Sequence, residues 1–433
     1  MQNLDIINPK RNAVTLDTVE DDRIFPYYAG YSYEFADRLI SSLKLRESAV
    51  VLDPWNGSGT TTISAYKRGI PSVGFDLNPA MVVVARARLM SPRDIPSISP
   101  IAEIIVRNIK YNKILSGSEP LTSWFTGDSA SSIRGLERSI YRILVSASGE
   151  GTLSSDLSVE NLSDIAAFFY VACFRVIRRL IAPFFASNPT WIKRAKSEGE
   201  KICVNEGDLC GGFIREIELL LGNMRAGNDI LENKRTEDVQ AKIGNAESIR
   251  LSSGEVDAVL TSPPYCTRID YAVATLPELA ILGFSEDQFD ALRRSLMGTS
   301  TVNKEKAAPA ENWGAECNNL LDMVARHESK ASSTYYYKNL SQYFYSLRRS
   351  LGEISRVLKS NGQAFLVVQD SYYKDVHINL ALIVSEMLAA DGMSLWREDR
   401  FESKQTMAGI NSRAKVYKSN REPVESVLCF VKG

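Results

Sequence analysis

Residues 49–53 (AVVLD) form an apolar run of strand length that breaks at once into the polar, glycine-bearing NGSGT. A helix-like stretch, TTISAYKRG, follows and closes at Gly69. Residues 72–76 (SVGFD) repeat the strand pattern, and 79–90 read as a second helix. Strand, glycine loop, helix, strand and helix, in that order, open a doubly wound α/β domain. The alternation then stops. Residues 101–231 read mostly helical, with a polar Gly/Ser-rich stretch near 146–158. The most apolar run, 165–174, covers about half a membrane span and is followed at once by Arg175, Arg178 and Arg179, which predicts a buried amphipathic helix. Strands are predicted again at 242–246 and 256–261, and a polar, irregular segment at 285–334. A long helix is predicted over 337–359, where Leu340, Phe344, Leu347, Leu351, Ile354 and Leu358 recur at three or four, ending at Asn361-Gly362. Strand 364–369, helix 376–390 and strands 394–401 and 427–432 follow. The α/β sheet is thus expected to be split in sequence: parts at 21–95, 238–284 and 337–433, a helical insertion at 96–237 and a loop insertion at 285–336.

Composition narrows the chemistry. The 433 residues carry 51 Lys+Arg against 52 Asp+Glu, a net charge of −1, so any nucleic-acid surface must be a local patch. The six cysteines form no C-x-x-C pair and stand far from the two histidines, His327 and His377, which argues against a zinc site or a disulfide framework; no metal is expected. Reduced cysteines and a start without an apolar leader predict a cytoplasmic protein.

Two motifs carry chemistry. In VVLDPWNGSGTT, residues 50–61, a strand ends in Asp53-Pro54 and Gly57 and Gly59 bracket a tight turn before a helix, so backbone N–H groups can approach a ligand closely. The lysine of a phosphate-gripping GxxxxGK[ST] loop is missing. The next strand ends in Asp76, an acid placed to take ribose hydroxyls, so the pair reads as a nucleoside site without a phosphate grip. In VLTSPPYC, residues 259–266, a strand ends in Ser262-Pro263-Pro264-Tyr265. Two prolines fix the backbone and remove two donors, leaving rigid acceptors beside the flat face of tyrosine. That suits a planar ring bearing an exocyclic amine.

These motifs, in this order and both at strand ends, resemble those of the DNA amino-methyltransferases, which methylate exocyclic nitrogens with S-adenosyl-L-methionine. DPWNGSGTT is similar to the family's cofactor loop, GFDLNP to its ribose-binding strand end and SPPY to its catalytic tetrad. FPYYAGYSYEFADRLI (25–40) resembles the segment closing over the methionine end of the cofactor, Gly244-Asn245-Ala246 the adenine-contacting turn, and RVLKSNGQAFLVV the fifth-strand block. The resemblance implies a doubly wound, seven-stranded Rossmann-like methyltransferase sheet with a large helical insertion. It implies cofactor contacts at Phe25, Asp53, Pro54, Gly57, Ser58, Gly59, Thr60, Asp76, Leu77, Asn245 and Ala246, and a catalytic set of Ser262, Pro263, Pro264 and Tyr265. The Ser262 side chain and Pro263 carbonyl would accept from the amine of a flipped base and Tyr265 would stack on it. Serine at the first tetrad position leans toward cytosine N4, with adenine N6 the alternative. RNA guanine N2 methylation and a non-catalytic DNA-binding subunit are more distant readings.

DNA is the implied partner, with a separately encoded restriction nuclease or defence-system proteins beside it and no membrane. Two stretches without acids are candidate phosphate grips: Arg175, Arg178, Arg179, Lys193, Arg194 and Lys196, and Lys404, Arg413, Lys415, Lys418 and Arg421. Arg178, Arg179, Arg413 and Lys415, with Arg268 just past the tetrad, are the expected DNA contacts. Trp191, Phe184 and Phe185 are expected in the core, and Cys266 is not expected to act as a nucleophile.

Overall fold

The computed structural model describes residues 3–10, 24–27, 29–110, 119–146, 153–154, 159–186, 191–226, 238–266, 269–302, 309–402 and 424–433. Its strands are β1 (Val51–Asp53), β2 (Ser72–Asp76), β3 (Val239–Ile243), β4 (Val256–Thr261), β5 (Leu358–Gln369), β6 (Ser371–Tyr373), β7 (Val376–Ile378), β8 (Met393–Glu402) and β9 (Val424–Lys432). Seven of them form one sheet in the order β3-β2-β1-β4-β5-β9-β8, while β6 and β7 make a separate hairpin. The first five are parallel, and β9 runs antiparallel between β5 and β8. The fold is therefore the expected doubly wound α/β sheet. Central β1 is buried throughout and β4 at five of its six positions, as a parallel strand covered on both faces must be; edge strand β8 is mostly half-buried or exposed. Val51 pairs with Ser72 on one side and Ala258 on the other. The winding direction reverses there, and the crevice beyond the C-terminal ends of β1 and β4 is where open α/β sheets bind ligands.

The helices are α1 (Tyr33–Ser42), α2 (Thr60–Lys67), α3 (Pro79–Ala87), α4 (Ile95–Arg107), α5 (Gly127–Leu144), α6 (Asp164–Leu180), α7 (Glu206–Ala226), α8 (Tyr271–Ala274), α9 (Leu276–Ile281), α10 (Glu286–Ser295), α11 (Ala315–Arg326), α12 (Tyr337–Val357) and α13 (Leu380–Ala389). Helices α4 to α7 make up the insertion after α3. At its centre lies α6, capped by Ser163 and buried without a break from Ala166 to Arg178, in one apolar cluster with α3. No described helix is long and apolar enough to cross a membrane.

The structure departs from the sequence-based expectations at four places. The helix expected over 337–359 ends at Val357, and Asn361-Gly362, expected to stop it, lie inside β5, which begins at Leu358. The third strand lies at Val239–Ile243, ahead of 242–246, so Gly244–Ala246 forms the turn after it. The hairpin of β6 and β7 occupies the start of the expected 376–390 helix, which begins only after Asn379 caps it. Among its described residues, segment 285–334 is largely helical. Ser285 and Gln288 form a capping box on α10, and α11 buries Cys317, Leu320, Leu321 and Val324, a helical stripe hidden in a polar average.

Candidate active site

Strand β1 delivers Asp53 to the floor of the crevice, where it is 3% exposed. Its Oδ1 accepts from the Trp55 N–H (3.1 Å) and the Thr261 hydroxyl (2.6 Å), and its Oδ2 from Thr61 Oγ1 (2.6 Å) and Tyr31 OH (3.2 Å). Burial raises the Asp53 pKa, against the pull of these four donors. One carboxylate thus joins β1, the end of β4, helix α2 and the segment before α1. The loop leaving it turns at Gly57 (φ 48°) and Gly59 (φ 82°), both in the left-handed region that favours glycine. Arg88 from the end of α3 donates to the Ser58 carbonyl at 2.7 Å and pins the turn.

Strand β2 ends in Asp76. Its Oδ2 accepts from the Gly57 N–H and its Oδ1 from the Asn78 N–H, both at 2.8 Å. The carboxyl is pushed up to about 6, chiefly by burial, with the two N–H groups opposing. Beyond β3, the Asn245 side chain accepts from the Glu247 N–H at 2.9 Å and shapes the turn.

Strand β4 ends in the tetrad. Ser262 Oγ and the Pro263 carbonyl have no hydrogen-bond partner among the described residues, whereas the Pro264 carbonyl accepts from Tyr343 OH at 2.9 Å. The Tyr265 N–H donates to Tyr271 OH at 3.3 Å. Burial raises the Tyr265 hydroxyl and the Cys266 thiol above their ordinary values, so neither Tyr265 nor Cys266 is poised to ionise.

A single cleft gathers Asp53, Pro54, Gly57, Ser58, Thr60, Asp76, Leu77, Asn245 and Ala246 with Ser262, Pro263, Pro264 and Tyr265. Its walls also include Tyr27, Ala29, Gly30 and Tyr31 of the 25–40 segment and Trp55 of the glycine loop, together with Tyr271 and residues 295–297, which no motif singled out. The donor set fits a nucleoside. The half-buried carboxylate of Asp76 lines the space, and a Cβ on Gly57 would sit 3.0 Å from the Tyr27 ring, so the turn leaves room only for backbone.

Several expected contacts lie elsewhere. Phe25 is 2% exposed and off the cleft, edge-on to Phe174 with its ring under the Arg178 guanidinium. Gly59 does not line the cleft; a Cβ there would meet Ala85 at 2.9 Å, so its constraint is the packing of α2 on α3. Arg178, expected on DNA, is buried: it donates to both oxygens of Glu278 (2.7 and 3.0 Å) and to the Ala274 carbonyl (2.7 Å). Arg179 pairs with Glu216, which Arg175 also holds at 2.7 Å. Burying these cations demanded acids from other elements, and α7 and α9 supply them. Trp191 and Phe185, expected in the core, are 48% and 39% exposed, while Phe184 is buried. Arg268, Arg413 and Lys415 lie outside the described residues.

No protein-family model matches the chain. The chain is similar to Type II methyltransferase M.AvaI of Nostoc sp., at 24% identity over 408 residues, 86% of this chain and 79% of that protein. It is also similar to Type II methyltransferase M.BsoBI of Geobacillus stearothermophilus, at 23% identity over 379 residues, 81% of this chain and 68% of that protein. It is thus a distant homologue of proteins named Type II methyltransferases.

Proposed function

We propose that the protein is a DNA methyltransferase that uses S-adenosyl-L-methionine and methylates the N4 amine of cytosine. The observation that carries the reading is two acceptors without a partner among the described residues, Ser262 Oγ and the Pro263 carbonyl, in the same cleft as the glycine turn and Asp76. The distant relatives named Type II methyltransferases support methyl transfer and, with it, a restriction nuclease as the partner activity.

On this reading Asp76 would take the ribose hydroxyls, Leu77, Asn245 and Ala246 the adenine, and the turn from Pro54 to Thr60 the remainder of the cofactor. When bound, the cofactor supplies an electrophilic methyl group. The protein's task lies with the amine. Its lone pair is delocalised into the ring, and acceptors on both N–H bonds draw the nitrogen toward tetrahedral geometry. Ser262 Oγ and the Pro263 carbonyl have no partner among the described residues, so they can accept those N–H groups without first breaking bonds to these residues. Tyr265 supplies a stacking face for the base. A base within a duplex cannot enter such a cleft, so it must leave the stack, at a cost of a few kcal/mol met by DNA contacts.

Nucleoside mass spectrometry after incubating mixed-sequence DNA with protein and cofactor tests the proposal. N4-methylcytosine is expected. N6-methyladenine would keep the chemistry and change the base. 5-Methylcytosine, methylated RNA beside unmodified DNA, or cofactor binding with no transfer at all would overturn it.

A further inference from the structure

The Pro264 carbonyl and the Tyr265 N–H belong to one peptide unit, and each is held by a different tyrosine. Tyr343 of α12 donates to the carbonyl at 2.9 Å, and Tyr271 of α8 accepts from the N–H at 3.3 Å. A peptide is planar, so engaging both ends fixes its rotation about the chain. The prolines fix φ on either side of the preceding peptide, and Pro264 confines ψ of Pro263 to extended values. Once the 264–265 plane is held, the Pro263 carbonyl and the Tyr265 ring have little freedom left.

Both tyrosines are anchored. Tyr343 is buried within its helix. The helix of Tyr271 is capped by Asp270, whose carboxylate also accepts from Arg293 at 2.6 Å, tying it to the segment that leads to Gly298. Gly298 (φ 77°) lies against the same stretch: a Cβ there would stand 3.0 Å from the Tyr265 carbonyl oxygen. On the other side, the Tyr271 carbonyl accepts from Thr275 Oγ1 (3.0 Å), which accepts from Asn78 Nδ2 (2.7 Å), and the Asn78 N–H binds Asp76.

We infer that Tyr271 and Tyr343 are positioning residues: together they clamp the 264–265 peptide so that the Pro263 carbonyl and Tyr265 ring are held ready for the amine-bearing base. The inference rests on the function proposed above. Tyr343→Phe and Tyr271→Phe keep the rings and remove one bond each. With long mixed-sequence DNA at saturation, each variant should lose roughly tenfold in kcat while S-adenosylhomocysteine affinity stays within about twofold of wild type. Because both hydroxyls hold one rigid unit, the double variant should fall little below the weaker single. A tyrosine that only stabilised the fold would lower the melting temperature and leave kcat intact.

Hydrogen–deuterium exchange tests the clamp without turnover. A peptic fragment from Ser262 to Cys266 has no amide at its two prolines, so it reports Tyr265 and Cys266 almost alone. Tyr271→Phe should speed this exchange by roughly tenfold. Wild-type kcat in either single variant, or unchanged exchange in Tyr271→Phe, overturns the clamp. Absence of any DNA methylation by the wild-type protein instead overturns the proposed function, and exchange then judges the clamp by itself.

Discussion

On the side of the cleft built from β1 and β2, the polar groups bond one another. Asp53 meets four donors and Asp76 two backbone N–H groups, supplied by residues within a few positions of the two strand ends or by Tyr31 and Thr261 beside them. On the β4 side, Ser262 Oγ and the Pro263 carbonyl have no partner among the described residues, and the stretch that carries them is held at the next peptide, by Tyr343 of α12 and by Tyr271 of α8. The first wall is a turn whose polar groups are already paired within the fold and into which a nucleoside fits. The second is a pair of cleft-lining acceptors on a frame that other elements must keep in place. Ligand binding and alignment of a reacting amine make these different demands.

The most severe break in this comparison is expected at Arg178, which ties the helical insertion to α8 and α9 directly after the tetrad. Its side chain is 10% exposed and that of Glu278 fully buried. Arg178→Ala would leave Glu278 without a counter-charge, a loss of roughly 3–5 kcal/mol in urea unfolding. Exchange protection should fall at 270–282 before it falls at 53–60. Arg194→Ala is the control: its ion pair with Glu286 is solvent-exposed, and its loss should cost less than about 1 kcal/mol. If Arg178→Ala kept full stability and flattened the salt dependence of DNA binding instead, the residue would be a phosphate contact and the frame would not depend on it.

The same contrast explains what was legible in the sequence. Sheet, winding and both motifs could be read because strand, turn and ligand-facing residue are contiguous at 50–61, 72–78 and 256–265. The frame of the second wall could not, because its partners are distant in the chain: Tyr343 stands 79 residues after Pro264, and Glu278 100 residues after Arg178. A run of arginines without neighbouring acids looks like a free cationic face until the fold brings Glu216 and Glu278 to it. Phe25 was misplaced for a related reason. An aromatic beside a cofactor segment looks the same in sequence whether it faces the ligand or, as here, lies beneath Arg178.

A smaller effect is expected on the first wall. Asp76→Ala removes an acceptor placed for the ribose hydroxyls and frees the Gly57 and Asn78 N–H groups. S-Adenosylhomocysteine affinity, measured by calorimetry, should drop by about ten- to a hundredfold, or roughly 1.5–3 kcal/mol, while affinity for DNA changes little. Equal losses of both affinities would mean that the two walls act as one. Unchanged cofactor affinity would remove Asp76 from the cofactor site.

The mildest test uses pH and leaves the wild-type chain unaltered. Burial raises the Asp76 carboxyl to about 6, whereas neither Ser262 Oγ nor the Pro263 carbonyl titrates near neutrality. Above that value the group is an anion with acceptor sites for ribose hydroxyls; below it the group carries a proton and is a weaker acceptor. Hydroxyl donors favour the anion, so ligand binding lowers the pKa, and by linkage affinity must fall as pH drops through about 6. The fall should approach tenfold per pH unit, about 1.4 kcal/mol, until the lower pKa of the bound state is passed. Asp76→Asn keeps the size of the side chain and loses the titration, so its weaker affinity should run flat from pH 7 to 5. A wild-type profile equally flat over that range would mean that the charge of Asp76 takes no part in binding, leaving the glycine turn alone to hold the nucleoside.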